Sequence, residues 1–321
     1  MQLISIVVPV FNEQDNLDIF YQEVCRHMEN LPYRFELIFV DDGSSDATPL
    51  ILDRLTEKDP RVRAFILARN FGHQVALTCG LDHADGDAVI TMDGDMQHPP
   101  ELLPAILKKW EEGYEVVKTV RLRTEGISFF KKFTSGMFYK LINAMSNVHI
   151  TEGGSDFRLL DKKVVASFRR FKERARFIRG MVDAIGYRQT TLEFTALRRY
   201  AGQSKYSVTK MLRFALDGIT AYSRMPLRFA FYFGILFSLI SFGLTLHVLF
   251  IKYFTNDAVP GWATISASIL FLGGLQLLGV GIVGEYVGRI FDEVKQRPLY
   301  LVRDELQKDS KEKPNVSSAG I

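Results

Sequence analysis

Apolar and polar positions in the first part of the chain follow two rhythms, one typical of strands and one typical of helices. Short apolar runs that predict buried strands cover residues 4–10, 35–40, 62–68, 88–92 and 115–120. Segments that read as helices lie between and after them, at residues 16–28, 48–58, 73–84 and 99–112. Strands and helices in this order favour an α/β fold, built on a parallel sheet with helices on its faces.

Polar side chains directly follow three of these predicted strands. They are Asn12-Glu13, Asp41-Asp42 and Asp93-Gly94-Asp95. Because ligands of parallel sheets bind beyond the carboxyl ends of the strands, we expect these groups to share one site. Two carboxylates one residue apart can hold Mg²⁺ or Mn²⁺ and leave positions open for the phosphates of a substrate. An isolated Asp-x-Asp is more often a solvated turn, but the shared position favours a site for a nucleotide diphosphate.

The second half of the chain carries most of the apolar excess. Hydrophobic residues make up 47% of the 321 residues, and they concentrate after Met225. Residues 227–251 and 263–283 are each long enough to cross a bilayer, whose hydrocarbon core is about 30 Å thick. A short polar turn joins them, so we expect a transmembrane hairpin rather than two buried core helices.

Basic residues flank this apolar pair on one side only. They are Arg213, Arg224 and Arg228 before the first segment and Arg289, Lys295, Arg297 and Arg303 after the second. The turn between the segments carries only Lys252. The positive-inside rule therefore predicts that both termini and the α/β part lie in the cytoplasm. The first ten residues lack a basic n-region and a cleavage site, so we do not expect a signal peptide.

Two further segments, at residues 130–145 and 205–222, have apolar faces bordered by Lys and Arg. Such helices pack on a domain core or lie in the membrane interface, and the neighbouring apolar segments favour the interface. A net charge of +3 without a dense basic run argues against a nucleic-acid partner. Two cysteines in unrelated contexts, Cys25 and Cys79, argue against a disulfide framework and a zinc site.

Seven motifs spread over nearly the whole chain point to one enzyme family. They begin at Val7-Val8-Pro9, Asp41-Asp42-Gly43, Ala68-Arg69-Asn70, Asp93-Gly94-Asp95, Gly154-Ser155-Asp156, Arg198-Arg199-Tyr200 and Glu285-Tyr286-Val287. In this order they resemble the family 2 glycosyltransferases that load a sugar onto a polyprenyl phosphate. Bactoprenol glucosyltransferases of the GtrB type and dolichol-phosphate mannose synthases belong to that family. The predicted hairpin is more similar to the bacterial branch.

The resemblance implies a GT-A fold, a Rossmann-like nucleotide-sugar-binding domain, and roles for individual residues. The metal ligands would be Asp93, Asp95 and Gln97, and the residues at the reacting centre Asp156 and Asp95. The donor would contact Pro9, Asn12, Glu13, Asp41, Asp42, Asp93, Arg199 and Lys205. The acceptor phosphate would contact Arg121, Arg123, Lys131 and Lys132, for which anchoring to lipid headgroups is an equal alternative. We assign no role to His73, His98 or His149.

The role of Asp156 stays open between a base and an orienting or charge-stabilising group. A lipid phosphate has a second pKa of about 6, by analogy with phosphorylated side chains, and needs little help from a base. A purely structural alternative for Asp156 is the N-cap of a helix.

The resemblance also divides the chain and implies a reaction. Residues 1–125 would form the nucleotide-sugar-binding core, 126–225 the acceptor part with interfacial helices, 226–284 the two spans, and 285–321 a cytoplasmic tail. The protein would transfer a hexose, first of all glucose from UDP-glucose, to undecaprenyl or another polyprenyl phosphate with inversion. Alternative donors are GDP-mannose, UDP-N-acetylglucosamine and an aminoarabinose nucleotide. A processive synthase is an alternative enzyme, disfavoured because the Gln-x-x-Arg-Trp motif is missing. An inactive membrane scaffold is the alternative without catalysis. A symmetric homo-oligomer is also expected.

Overall fold

The structure, a computed structural model, describes residues 1–122, 154–174, 176–195, 225–254 and 261–308. These residues belong to two compact units. The sheet unit contains residues 1–122, 154–174, 176–195 and 297–308, and the helical unit contains residues 225–254 and 261–296.

The sheet unit is built on one mixed sheet. Its strands are β1 (Leu3–Val10), β2 (Arg34–Asp41), β3 (Val62–Leu67), β4 (Ala88–Thr91), β5 (Val116–Leu122), β6 (Gly154–Asp161), β7 (Gln189–Thr195) and β8 (Val302–Leu306). Its helices are α1 (Leu17–Met28), α2 (Thr48–Lys58), α3 (His73–His83), α4 (Leu103–Glu111), α5 (Lys162–Phe168) and α6 (Ile178–Ile185). A 3₁₀ turn, Pro100–Leu102, precedes α4. The strand order is β7-β5-β6-β4-β1-β2-β3-β8.

The α/β pattern predicted for the first 120 residues is confirmed. The strands β4, β1, β2 and β3 are parallel neighbours, and all but a few of their residues are buried. Apolar residues on the two faces of the sheet pack into two separate clusters, one with α1 and α4 and the other with α3, α5 and α6. The rigid centre of the sheet therefore brings the carboxyl ends of β1, β2 and β4 to one edge.

The parallel arrangement predicted for the sheet holds at its centre, but the whole sheet is mixed. Strand β6 is antiparallel to both of its neighbours, β4 and β5, and β8 is antiparallel to β3. The helix N-cap considered for Asp156 is wrong, because this residue lies in strand β6. The apolar pattern does not reveal β6 as a buried strand, because the strand carries the charged Arg158, which is only 2% exposed.

The residues expected to form a tail contain two regular elements. Helix α8 (Trp262–Val294) runs past residue 284, where we expected the membrane part to end. Strand β8 then adds to the edge of the sheet beside β3, with Ala64 opposite Leu306. Edge strands expose unpaired backbone groups, so β8 covers this edge of β3.

The helical unit consists of α7 (Met225–Phe254) and α8. The rings of Phe237 and Phe271 lie 5.7 Å apart, so the two helices touch within this unit. Within the described residues, one segment is long and apolar enough to span a membrane, Phe271–Val294, with a mean hydropathy of 1.4. Helix α7 contains a shorter apolar stretch, Phe229–Leu244. The interfacial helices predicted at 130–145 and 205–222 lie outside the described residues.

Candidate active site

The loop after β1 is fastened to the loop after β2 by side-chain hydrogen bonds. The backbone N–H of Asn12 donates to Ser44 Oγ at 2.8 Å, and Asn12 Oδ1 accepts from the backbone N–H of Ser45 at 2.9 Å. The N–H of Glu13 donates to Thr48 Oγ1 at 2.9 Å. Asn12 adopts a left-handed backbone with φ of 55°, which Asn tolerates better than most residues. Two of the predicted donor-binding groups are therefore held at one end of the sheet.

Asp41 and Asp42 are buried and shape the neighbouring loops. Asp41 accepts hydrogen bonds from the backbone and hydroxyl of Ser44. Asp42 accepts from the backbone N–H groups of Phe71 at 2.7 Å and Gly72 at 2.9 Å. Burial raises the pKa of both carboxyl groups, and these hydrogen bonds oppose that rise. Both residues lie where the sequence predicts a donor pocket, and their hydrogen bonds fix the neighbouring loops.

Gly43 allows the β2 loop to pass close to the loop after β3. Its φ is +71°, and an added Cβ would lie 2.6 Å from the carbonyl carbon of Arg69. Any other L-residue would meet both a strained backbone and a clash.

The Asp93-Gly94-Asp95 segment follows β4 and forms a tight loop with a hydrogen bond of its own. Asp95 Oδ1 accepts from the backbone N–H of Gln97 at 3.1 Å. The side-chain oxygen of Gln97 accepts from Arg121 Nη2 at 3.0 Å. Arg121, expected at the acceptor phosphate, thus lies beside the predicted metal loop. An added Cβ on Gly94 would lie 3.0 Å from Val10 Cγ1, so the loop packs closely on β1.

Asp156 is the most heavily paired carboxylate of the site. Its side chain is 7% exposed and accepts from Arg158 Nη2 at 2.7 Å. Arg179, on α6, donates to both oxygens, from Nε and from Nη2, each at 3.0 Å. Gln74 Nε2 donates at 3.4 Å. The hydroxyl of Thr91 donates to the backbone carbonyl of Asp156, which fixes the strand beside β4.

These partners determine the protonation state of Asp156. Burial alone would raise the pKa of the carboxyl group, but His73, Arg179 and Arg158 outweigh burial and hold the pKa well below its ordinary value. A carboxylate with such a low pKa is a weak proton acceptor. The arrangement suits a fixed negative charge better than a general base.

His73, to which we assign no role from the sequence, lies between two predicted site residues. Its Nε2 is 3.6 Å from Asp93 Oδ1 and 3.5 Å from Asp156 Oδ2. Burial would lower the pKa of His73, but the neighbouring Asp156 and Asp93 raise it. The residue opens α3 directly after the β3 loop, and this position at the carboxyl edge of the sheet is the signal that could have found it.

His98 was also assigned no role, yet it lies buried beneath the site with 1% of its surface exposed. Its Nδ1 lies 2.8 Å from the backbone nitrogen of Asp93, and its Nε2 lies 2.7 Å from Ser155 Oγ. Because the backbone N–H must donate, Nδ1 accepts and the proton of a neutral ring is on Nε2. Burial lowers the pKa of His98, which favours this neutral form. The ring also stacks on Phe157, with centroids 5.2 Å apart.

The residues present fit a divalent cation. Within the described residues, no group of three His, Cys, Asp or Glu side chains could hold a metal ion. Mg²⁺, however, is often held by one or two carboxylates together with the phosphates of a substrate. Asp93 Oδ1 is buried and has no hydrogen-bond partner among the described residues, so this oxygen could ligate a cation. Asp93 and Asp95 would hold such an ion.

Part of the predicted site lies outside the described residues. These positions are Arg123, Lys131, Lys132, Arg199 and Lys205. Pro9 lies near the end of β1, opposite Val40 of β2.

Comparison with known proteins identifies the family. The sequence profile of Glycosyl transferase family 2 matches residues 5–168. An uncharacterized glycosyltransferase of Bacillus subtilis, YkcC, is 44% identical over 299 residues, which cover 93% of both chains. An uncharacterized glycosyltransferase of Synechocystis, sll0501, is 41% identical over 94% of this chain and 95% of its own. The bactoprenol glucosyl transferase of Shigella phage SfV is 41% identical over 95% of this chain and 99% of its own. The predicted resemblance is confirmed, and the chain belongs to glycosyl transferase family 2.

Proposed function

We propose that the protein transfers a hexose, first of all glucose from UDP-glucose, to undecaprenyl or another polyprenyl phosphate at the cytoplasmic face of the membrane. One observation carries the proposal. The Asp-x-Asp loop and Asp156 meet at the carboxyl edge of the sheet, where His73 lies within 3.6 Å of both Asp93 and Asp156. The full-length similarity to a protein named bactoprenol glucosyl transferase supports the choice of sugar and acceptor.

On the donor side, Asp93 and Asp95 would hold Mg²⁺ or Mn²⁺ together with the diphosphate. The ion supplies neutralisation of the charge that develops on the departing nucleotide diphosphate. The hydrogen-bonded loops after β1 and β2, with Asn12, Glu13 and Asp41, would bind the nucleoside. Gln97 bonds Arg121 to the loop that carries Asp93 and Asp95. The Arg121 guanidinium would therefore offset the charge of a bound phosphate.

On the acceptor side, the lipid phosphate would act as the nucleophile without a strong base. With a second pKa of about 6, a phosphate monoester is mostly dianionic at neutral pH. Asp156 would remain ionised, oriented by Arg158 and Arg179, and would position the sugar or stabilise positive charge at the anomeric carbon. A single in-line displacement would invert the configuration at that carbon.

Exposed apolar side chains support a membrane location for the helical unit. Large side chains such as Phe231 and Leu239 on α7 and Leu277 on α8 are 65%, 65% and 74% exposed. Lipid would cover such surfaces. We propose that α7 and α8 both span the membrane and that both termini are cytoplasmic. Alkaline phosphatase fused at residue 257 should be active and at residue 308 inactive. Activity at both sites would refute the hairpin.

We also propose a homo-oligomer formed through α8. Gly284 and Gly288 have nothing among the described residues within 4 Å of where a Cβ would lie, so this face can receive a second helix. Cross-linking in membranes should trap oligomers that Gly284→Leu weakens. A monomer in both proteins would refute the proposal.

The reaction is tested with purified protein, Mn²⁺, undecaprenyl phosphate and one nucleotide sugar per reaction. Mass spectrometry of the lipid phase should detect hexosyl phosphoryl undecaprenol with UDP-glucose. Product from GDP-mannose alone would make the protein a mannose synthase, and product from UDP-N-acetylglucosamine or an aminoarabinose donor would change the sugar.

A membrane scaffold without activity is the second candidate. A scaffold should bind neither Mn²⁺ nor UDP, whereas a donor site should show a rise in melting temperature that requires both together.

A further inference from the structure

His98 contacts both halves of the candidate active site through different ring atoms. Its Nδ1 accepts from the backbone N–H of Asp93 at 2.8 Å, and its Nε2 donates to Ser155 Oγ at 2.7 Å. Nε2 also lies 3.5 Å from Asp93 Oδ2. Ser155 directly precedes Asp156, and its hydroxyl oxygen accepts from the backbone N–H of Phe157 at 3.2 Å. One side chain therefore bridges the carboxylate loop after β4 and the start of β6.

The ring is well fixed for such a bridge. It is 1% exposed, stacks on Phe157 and meets Phe194 edge-on, with centroids 6.1 Å apart. The neutral ring has one donor and one acceptor, and both are used in opposite directions. A side chain with a single polar atom could satisfy only one of the two contacts.

We propose that His98 is a positioning residue that sets the carboxylate loop for cation binding and couples its position to the strand that carries Asp156. The coupling to catalysis rests on the proposed function, whereas the effect on cation binding does not. Groups that orient metal-binding side chains are commonly worth roughly 10–100-fold in metal affinity or activity. Nδ1 would serve the loop and Nε2 the strand, so the two effects should be separable.

The test replaces each contact separately. His98→Ala removes both contacts, and His98→Asn keeps an acceptor where Nδ1 lies but has no atom at the Nε2 position. Ser155→Ala removes the partner of Nε2. His83→Asn is the matched control, because that histidine bonds the carbonyl of Cys79 within its own helix at 2.8 Å.

The first readout is the Mn²⁺ concentration that half-saturates the melting shift in the presence of UDP or, if UDP gives no shift, of GDP. His98→Ala should raise it roughly 10–100-fold, and His98→Asn should return it close to the wild-type value. A wild-type value in His98→Ala, or no recovery in His98→Asn, would overturn the proposal. An equal rise in His83→Asn would do the same, because it would reveal a general loss of stability.

The second readout is transfer at saturating Mn²⁺. Ser155→Ala and His98→Asn should lower kcat to a similar extent, and the double variant should be no slower than either, because both remove one contact. Additive losses would overturn the coupling to β6.

If His98→Ala does not fold, His98→Gln replaces it, since Gln fills volume but offers no acceptor at the Nδ1 position. Wild-type protein that binds Mn²⁺ with UDP but transfers nothing would refute the proposed function, while the first readout would still decide the role of His98.

Discussion

Asp156→Asn should destabilise the sheet unit as well as stop transfer. Arg158, whose Nη2 lies 2.7 Å from Asp156, is only 2% exposed, so the variant leaves a buried guanidinium without its counter-charge. Removing one partner of a buried pair costs about 3–5 kcal/mol, and we expect the lower end because Asn still offers a carbonyl acceptor. In a domain of this size, about 3 kcal/mol corresponds to a fall in melting temperature of roughly 6–12 °C.

The assay is thermal unfolding in detergent, followed by tryptophan fluorescence in a Trp262→Phe background, so that the signal comes from Trp110, whose indole donates to Asp161 in the same unit. Asp93→Asn is the matched control. The Asp93 side chain is 33% exposed and faces the half-exposed His73 at 3.6 Å, so the loss of its charge should cost less stability than the loss of the buried Asp156 charge. An Asp156→Asn variant that melts with wild-type protein would refute the view that Asp156 neutralises buried arginines.

The pH dependence gives this prediction a sign. The pKa of Asp156 is held well below its ordinary value, so its contribution is fully present above the unfolded pKa of about 4. The contribution is lost as the pH falls below that value towards the folded pKa. Because protonated His73 also pairs with Asp156, the difference in melting temperature between wild type and Asp156→Asn should grow as the pH falls from about 7 to 5 and shrink below about pH 4. A difference that already shrinks between pH 7 and pH 6 would contradict the low pKa.

Three further predictions concern other parts of the sheet unit. Gly43→Ala should lower stability by at least about 1–3 kcal/mol because of its positive φ and the clash with Arg69, and a wild-type melting curve would show that the loop relaxes. Burial raises the pKa of Cys25 to about 11 and of Cys79 to about 12, so iodoacetamide at pH 7 should modify neither thiol until the protein unfolds; rapid modification of folded protein would contradict this burial. Arg179→Lys should lower kcat while the melting shift with Mn²⁺ and UDP persists, because Lys cannot bond both oxygens of Asp156 in parallel, and an unchanged kcat would assign Arg179 a structural role only.

The parts of the fold that could be predicted from the sequence depend on local patterns. Strands β1 to β4 carry apolar runs, and the polar groups after them stand next to the strands in sequence. The first helices were recognisable as the segments that lie between these runs. Hence Asn12, Asp42 and Asp93 were expected at one edge of the sheet, and they lie in the loops at that edge.

The parts that could not be predicted depend on contacts between distant residues. Strand β6 contains the charged residues Asp156 and Arg158, so its sequence does not read as a buried strand. The burial of Arg158 becomes favourable only once Asp156 and β4 lie beside it. His98 gained its role from Ser155, which is 57 positions away. Strand β8 is short and charged, and only its pairing with β3 makes it part of the sheet.

The most direct test of the central claim is transfer of radiolabelled glucose from UDP-glucose into the organic phase by purified protein with undecaprenyl phosphate. The reactions compare wild type with Mn²⁺, wild type with EDTA, and Asp156→Asn assayed at a temperature where it is folded and shifted by Mn²⁺ with UDP. The account predicts labelled lipid in the first reaction alone. Label that is independent of both the metal and Asp156 would contradict the proposed site, and no label with any donor would contradict the proposed reaction.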